Sequence, residues 1–253
     1  MALRPFDDVW QSLTWADEEA EALKTEIDYF REPKPNSVEA ESYPDDSGGE
    51  ILFEPGTRPD LMLWTKQVGA AIGYMRAALN YASYQIALID CPGEAHRVEF
   101  PVFSDPGLFQ QQNRIGNFAQ NRFGIIEAVQ PYPGRTQELW WLHELARFHR
   151  HRLIRPVIDT PSQFQHVIRL IRGDLADITF ETAGFEIRPD GKAVIGRWRN
   201  ARPADTQVDV EPNLAVEVVV DDPLVRHETL PVLLFKMWQV TRKILTALEE
   251  TFP

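Results

Sequence analysis

Between Pro59 and Asp90 the apolar residues recur every third or fourth position, as Leu61, Trp64, Val68, Ile72, Met75, Leu79, Ala82, Ile86 and Ile89. That period predicts a single helix of about eight turns, roughly 45 Å long at 1.5 Å per residue. An unbroken apolar stripe on so long a helix must be covered by other helices. A second face carries Gly69, Gly73, Arg76, Asn80 and Tyr84, where small residues admit a close neighbour and polar ones need partners. Pro59 suits the approach to a first helical turn, and Pro92-Gly93 ends the pattern.

The same periodicity predicts a helix over residues 7–31, with Leu13, Ala16, Ala20, Leu23, Ile27 and Phe30 on one side and a solvated acidic face opposite. Pro33 and Pro35 stop it, and Glu32 to Gly49 reads as a mobile linker before a short strand at Glu50–Glu54. Val98 to Phe103 is a brief extended segment. A helix from about Asn113 to Gln130 follows, with Ile115, Phe118, Phe123, Ile126 and Val129 available for burial. After the break at 131–134, Thr136 is placed to cap a helix running to about His151.

Beyond that point the pattern turns towards strands. Leu153 to Ile158 reads as one, while Thr160-Pro161-Ser162-Gln163 has the form of a helix start, so 161–172 is open between helix and strand. Ile178–Ile187 and Ala193–Arg199 flank Pro189-Asp190-Gly191, a hairpin signal. Leu214–Val220 is strongly β-forming, and a last helix after Pro231 carries Leu234, Trp238, Leu245 and Leu248. The fold class expected is α+β: a helical bundle around one long central helix, a small antiparallel sheet from the C-terminal third, and a closing C-terminal helix. It divides into an acidic helix and linker (1–49), a helical core (50–155) and a β-rich region whose final helix packs back on the core (156–253), together one globular unit.

Composition changes this picture in one respect. Of the net charge of -12, nearly all belongs to residues 1–60, which hold 16 acidic and 5 basic residues. A near-neutral body gives no general attraction to nucleic acid, although a local basic patch could serve. The acidic N-terminal helix is instead a candidate surface for a protein partner. Cys91 is the only cysteine, which excludes an internal disulfide and a Cys-rich metal site. With no leader-like segment and no apolar run of about 18 residues, the expectation is a soluble cytoplasmic protein away from membranes. A glycine-rich dinucleotide loop, a Walker loop and a serine elbow are all missing from the sequence, so no cofactor is expected.

The most unusual local composition is Leu139–Arg152, which holds three of the six histidines. On a helix His143, Arg147 and His151 form a drifting stripe, while His149 points elsewhere. His143 and His151 lie about 12 Å apart along the axis, too far to share one zinc ion, so no metal is assigned. One reading makes the stripe a grip for phosphate or an RNA backbone, with His143 and His151 able to move protons. The other makes it a basic helix end that complements its own C-terminal dipole and pairs with the acidic N-terminal helix. On the long helix, Arg76 and Asn80 lie one turn apart with Tyr84 a turn further. Arg76 needs an acceptor if buried, and Glu144 is a candidate.

These pieces resemble a group of uncharacterised bacterial proteins of similar length. The match runs through Arg76-Ala77-Ala78-Leu79-Asn80 with Tyr84, then Phe100-Pro101-Val102-Phe103 and Gln130-Pro131-Tyr132. It ends in Leu139-Trp140-Trp141-Leu142-His143-Glu144-Leu145 with His151-Arg152, so it covers about residues 60–155. Those relatives tend to carry Asp-His where Asn80-Tyr81 stands, which looks like the Arg-x4-His motif of HEPN-type helical ribonucleases. The resemblance implies a helical protein that binds RNA or a nucleotide, acts as a homodimer, and keeps a degenerate ribonuclease centre. Tyr81 stands in for the histidine and is a far poorer proton shuttle at neutral pH. The site residues carried forward are Arg76, Asn80, Tyr84, His143, Glu144, Arg147, His151 and Arg152. Among them Arg76, His143 and His151 are the catalytic candidates. Two functions stand: such an RNA- or nucleotide-binding protein, or a non-enzymatic interaction protein whose Arg/His cluster is an internal hydrogen-bond network.

Overall fold

A computed structural model of the chain describes residues 6–31, 37–54, 59–111, 118–135, 137–159, 167–172, 178–201, 207–211 and 217–252. In chain order the elements are α1 (Asp7–Arg31), β1 (Ser37–Ser42), β2 (Gly48–Glu54), α2 (Leu61–Asp90), α3 (Pro106–Gln110), α4 (Gln120–Ala128) and α5 (Glu138–His149). They continue with β3 (Pro156–Asp159), β4 (Val167–Arg172), β5 (Ile178–Ile187), β6 (Ala193–Asn200), β7 (Gln207–Glu211), β8 (Glu217–Val220) and α6 (Leu230–Glu249). The fold is α+β, with α2 as the long central helix. Two units are formed, one helical (residues 1–25, 61–156 and 219–253) and one built mainly of strands (26–60 and 157–218).

In the helical unit, α2 is flanked by α5 and α6, which also meet each other. Seven of the nine apolar positions on its stripe, from Trp64 to Ile86, are buried; Leu61 and Ile89 at its two ends are exposed. Full burial of one Ile or Leu side chain contributes about 1.5–3 kcal/mol, so this stripe is a large part of the unit's apolar stabilisation. Helix α1 adds Val9, Leu13, Ala16 and Leu23, and the Ser12 hydroxyl donates to the carbonyl of Tyr74 at 2.9 Å. Helix α6 buries Leu230, Leu233, Leu234, Met237, Ile244, Leu245 and Leu248 at helical spacing. Of the two glycines on the second face of α2, Gly69 has the close neighbour: a Cβ there would lie 2.3 Å from the His149 ring, which would have to shift. Gly73 faces nothing within 4 Å.

In the other unit, the antiparallel sheet runs in the order β1-β2-β6-β5, and β4 pairs with β7. The hairpin at Pro189-Asp190-Gly191 forms as its sequence predicts, with Gly191 at φ 89° and Arg188 bonded to Lys192 across the turn. The linker reading of Glu32–Gly49 is corrected, because β1 and the start of β2 lie within it. Two of its acids are held across the sheet, Glu39 by Lys192 at 2.7 Å and Glu41 by Arg188, and Glu50 just beyond it pairs with Arg197 at 3.0 Å. Gly49 lets the buried Trp198 indole lie flat against β2, where a Cβ would sit 2.2 Å from the ring.

Other boundaries shift as well. Described helix in the 113–130 stretch covers only Gln120–Ala128, and its expected beginning at 113–117 lies outside the described residues. The same holds for the Thr136 cap and for 160–166, while 167–172 is strand. Strand β7 and the short helix α3 were not anticipated.

Candidate functional site

The segment Phe100–Phe103 belongs to no helix or strand, and Phe100 and Val102 are buried. Buried peptide groups without a ladder need side-chain partners. Three polar residues provide them. Arg76 Nη2 donates to the Phe100 carbonyl at 2.7 Å, and the Phe100 N–H donates to Asn80 Oδ1 at 3.0 Å. Gln130 Nε2 donates to the carbonyls of Pro101 (3.1 Å) and Ile126 (2.9 Å), while its Oε1 accepts from the Phe103 N–H at 2.8 Å. The Arg-to-Asn turn of α2, the Phe-Pro-Val-Phe segment and the Gln-Pro-Tyr break thus meet in one clamp.

Arg76 is 6% exposed, and burial brings its guanidinium down to about 10, opposed by the nearby Glu99 carboxylate. It stays charged at neutral pH. Across α5, His143 stacks on Trp140 with ring centroids 5.8 Å apart. Burial, then the charge of Arg76, push the His143 imidazole down to about 4, with Glu144 opposing and Arg147 and Arg150 adding to the depression. Nη1 of Arg76 and Nδ1 of His143 are buried and have no hydrogen-bond partner among the described residues.

The acceptor suggested for Arg76 is corrected. Glu144 instead accepts from Arg147, with Nη2 to Oε2 at 2.6 Å and Nε to Oε1 at 3.3 Å. His151 lies in the turn after α5 and is exposed. Arg152 donates to Asp222 Oδ2 at 2.7 Å and lies over the Phe148 ring. His149, off the predicted stripe, packs on Gly69. Among the described residues, no three His, Cys, Asp or Glu side chains gather as a metal centre would require.

The state of His143 gives a pH dependence with a definite sign. The unfolded chain takes up a proton near pH 6.5 that the folded protein refuses until about pH 4. This contribution is therefore complete above pH 6.5 and is lost as the pH falls towards 4. Relative to His143→Gln, the parent should lose an extra 1–2 kcal/mol, roughly, between pH 7 and 4 in urea unfolding, a figure discounted for partial exposure. Parallel stability curves for the two proteins would rule out this burial effect.

Asn80 and Tyr84 also reach a second feature, a groove of about 600 Å³ between α1 and α2. Asp8, Gln11 and Trp15 line it from α1, and Tyr81, Tyr84 and Gln85 from α2, with Val98 beside them. Of these only Asn80 and Tyr84 were nominated from the sequence. The signal for the rest was present as two short helical repeats at spacings of three and four, but neither helix alone shows that the other faces it. No helix among the described residues is long and apolar enough to cross a membrane. No protein-family model, curated protein or solved structure matches the chain.

Proposed function

We propose that the protein is a non-enzymatic binding protein, in which the Arg76–Asn80 group is an internal hydrogen-bond network and the acidic first helix presents the binding surface. The observation that carries this reading is the Phe100 peptide, whose N–H and C=O are both held by these two side chains. A guanidinium that works on a phosphodiester must turn its donors to the substrate; Arg76 turns one inward to the backbone. Glu144 and Arg147 satisfy each other, and a neutral His143 offers no cationic charge to a phosphate.

A second reading has its own support. Arg76 Nη1 and His143 Nδ1 are buried without partners among the described residues, and Arg147 and Arg150 lie near enough to lower the affinity of His143 for a proton. On that reading the chain is HEPN-like, and Arg76, His143, Arg147, His151 and Arg152 hold RNA or a nucleotide. Fluorescence anisotropy with labelled single-stranded RNA separates the two. Titrations of the parent, Arg147→Ala and His151→Ala are expected to superimpose. Affinity lost only in the variants would overturn the internal-network reading in favour of the second.

A further inference from the structure

The groove between α1 and α2 has a composition unlike that of the Arg/His cluster. Asp8, Gln11 and Trp15 recur at spacings of three and four, which places them on one face of α1; Tyr81, Tyr84 and Gln85 repeat that spacing on α2. Its volume of about 600 Å³ falls within the ~300–1,000 Å³ typical of small-molecule sites. Trp15, Tyr81 and Tyr84 are 45%, 46% and 41% exposed, three large rings left open to solvent around one concavity. The Trp15 ring is also braced by Tyr74, with centroids 5.6 Å apart. Among the described residues that line the groove, the only ionisable carboxylate is Asp8, and no basic side chain is present.

We propose that this groove binds a small organic cation of the alkylated-ammonium class. Aromatic faces carry the negative lobe of the ring quadrupole and attract ammonium groups, including those too fully alkylated to donate a hydrogen bond. Asp8 supplies the opposing charge, and Glu18, one turn beyond Trp15 on α1, adds to a field of the same sign. The lining argues against phosphate-bearing ligands, which would meet Asp8 with no counter-charge. A nucleobase would use the same rings, but as a neutral donor it gains only a hydrogen bond from the carboxylate and no charge pair. The amides of Gln11 and Gln85 complete the rim without adding charge. This inference deepens the binding-protein reading by naming the chemistry of its ligand, yet depends on side chains that the RNA titrations leave untouched.

Isothermal titration calorimetry on the full chain tests it with three probes: choline, its neutral isostere 3,3-dimethylbutan-1-ol, and adenosine. Saturable binding of choline at one site is expected, with the neutral alcohol markedly weaker. Asp8→Asn and Tyr81→Leu should each weaken choline by about two- to fivefold, the range of one exposed cation–π or ionic contact. Both positions are exposed, so the unfolding midpoint should move little; Asp8→Asn gives up only the favourable charge in the first turn of α1, about 0.3–1 kcal/mol. If Tyr81→Leu does perturb folding, Asp8→Asn decides the matter alone. The proposal is overturned if choline shows no saturable binding, if the alcohol binds as tightly, if Asp8→Asn has no effect, or if adenosine binds instead. Such a failure leaves the clamp at Phe100 standing, and an RNA affinity that depends on Arg147 would overturn the other reading without touching this one.

Discussion

Arg122→Ala should destabilise the helical unit by about 3–5 kcal/mol, the cost expected when one partner of a buried ion pair is removed. Arg122 and Asp90 are both nearly sealed from solvent, and the guanidinium donates to the Asp90 carboxylate. Its Nε and Nη2 also donate to Thr251, to Oγ1 at 3.1 Å and to the carbonyl at 3.0 Å. The same group lies 5.0 Å from the centre of the Phe252 ring, which meets Phe6 edge to face. Asp90 accepts a further bond from the Ala119 N–H at 2.8 Å, at the start of α4. One pair therefore joins the end of α2, the beginning of α4 and the residues after α6. Removing the arginine strands a carboxylate with a single backbone donor. Removing both charges with apolar replacements, as in Arg122→Met/Asp90→Leu, should cost less than the two single changes together. Urea unfolding of the four proteins measures the coupling; additive losses, or singles below about 1 kcal/mol, would show that the pair does not hold these elements.

That pair also marks the limit of what could be read from the amino-acid order. The α2 stripe was legible because its period needs nothing beyond the helix itself, and the Pro189–Gly191 turn because its residues act within four positions. Arg122 and Asp90 lie 32 residues apart, and no local pattern links them. The acids of β1 misled for a related reason. Glu39 and Glu41 look like solvated linker charges until Lys192 and Arg188, some 150 residues later, are placed across the sheet from them. At the candidate site, polar residues on α2 were correctly expected to need partners, but the partners are backbone groups of a segment outside any helix or strand. A carbonyl offers the same acceptor on every residue, so the sequence carries no mark of which one Arg76 will choose. Gly69 likewise announced a close neighbour without indicating that it would be His149.

The clamp itself makes the second large prediction. Gln130 is wholly buried and uses both ends of its amide, donating twice and accepting once. Gln130→Ala deletes those bonds and leaves the Phe103 N–H and the Pro101 carbonyl without their partner, at about 1–3 kcal/mol for each stranded group. A total loss of roughly 3 kcal/mol is expected once the small cavity is included. Stability alone would not distinguish this from a simple packing defect, so amide exchange gives the sharper measurement. The Phe103 N–H should lose protection in Gln130→Ala, while the Phe100 N–H, held by Asn80, should keep most of its own. Asn80→Ala should reverse the two. If neither substitution changes protection at its own amide, the 100–103 segment is held by apolar packing of Phe100 and Val102, and Arg76 is released from the structural duty that the binding-protein reading assigns to it.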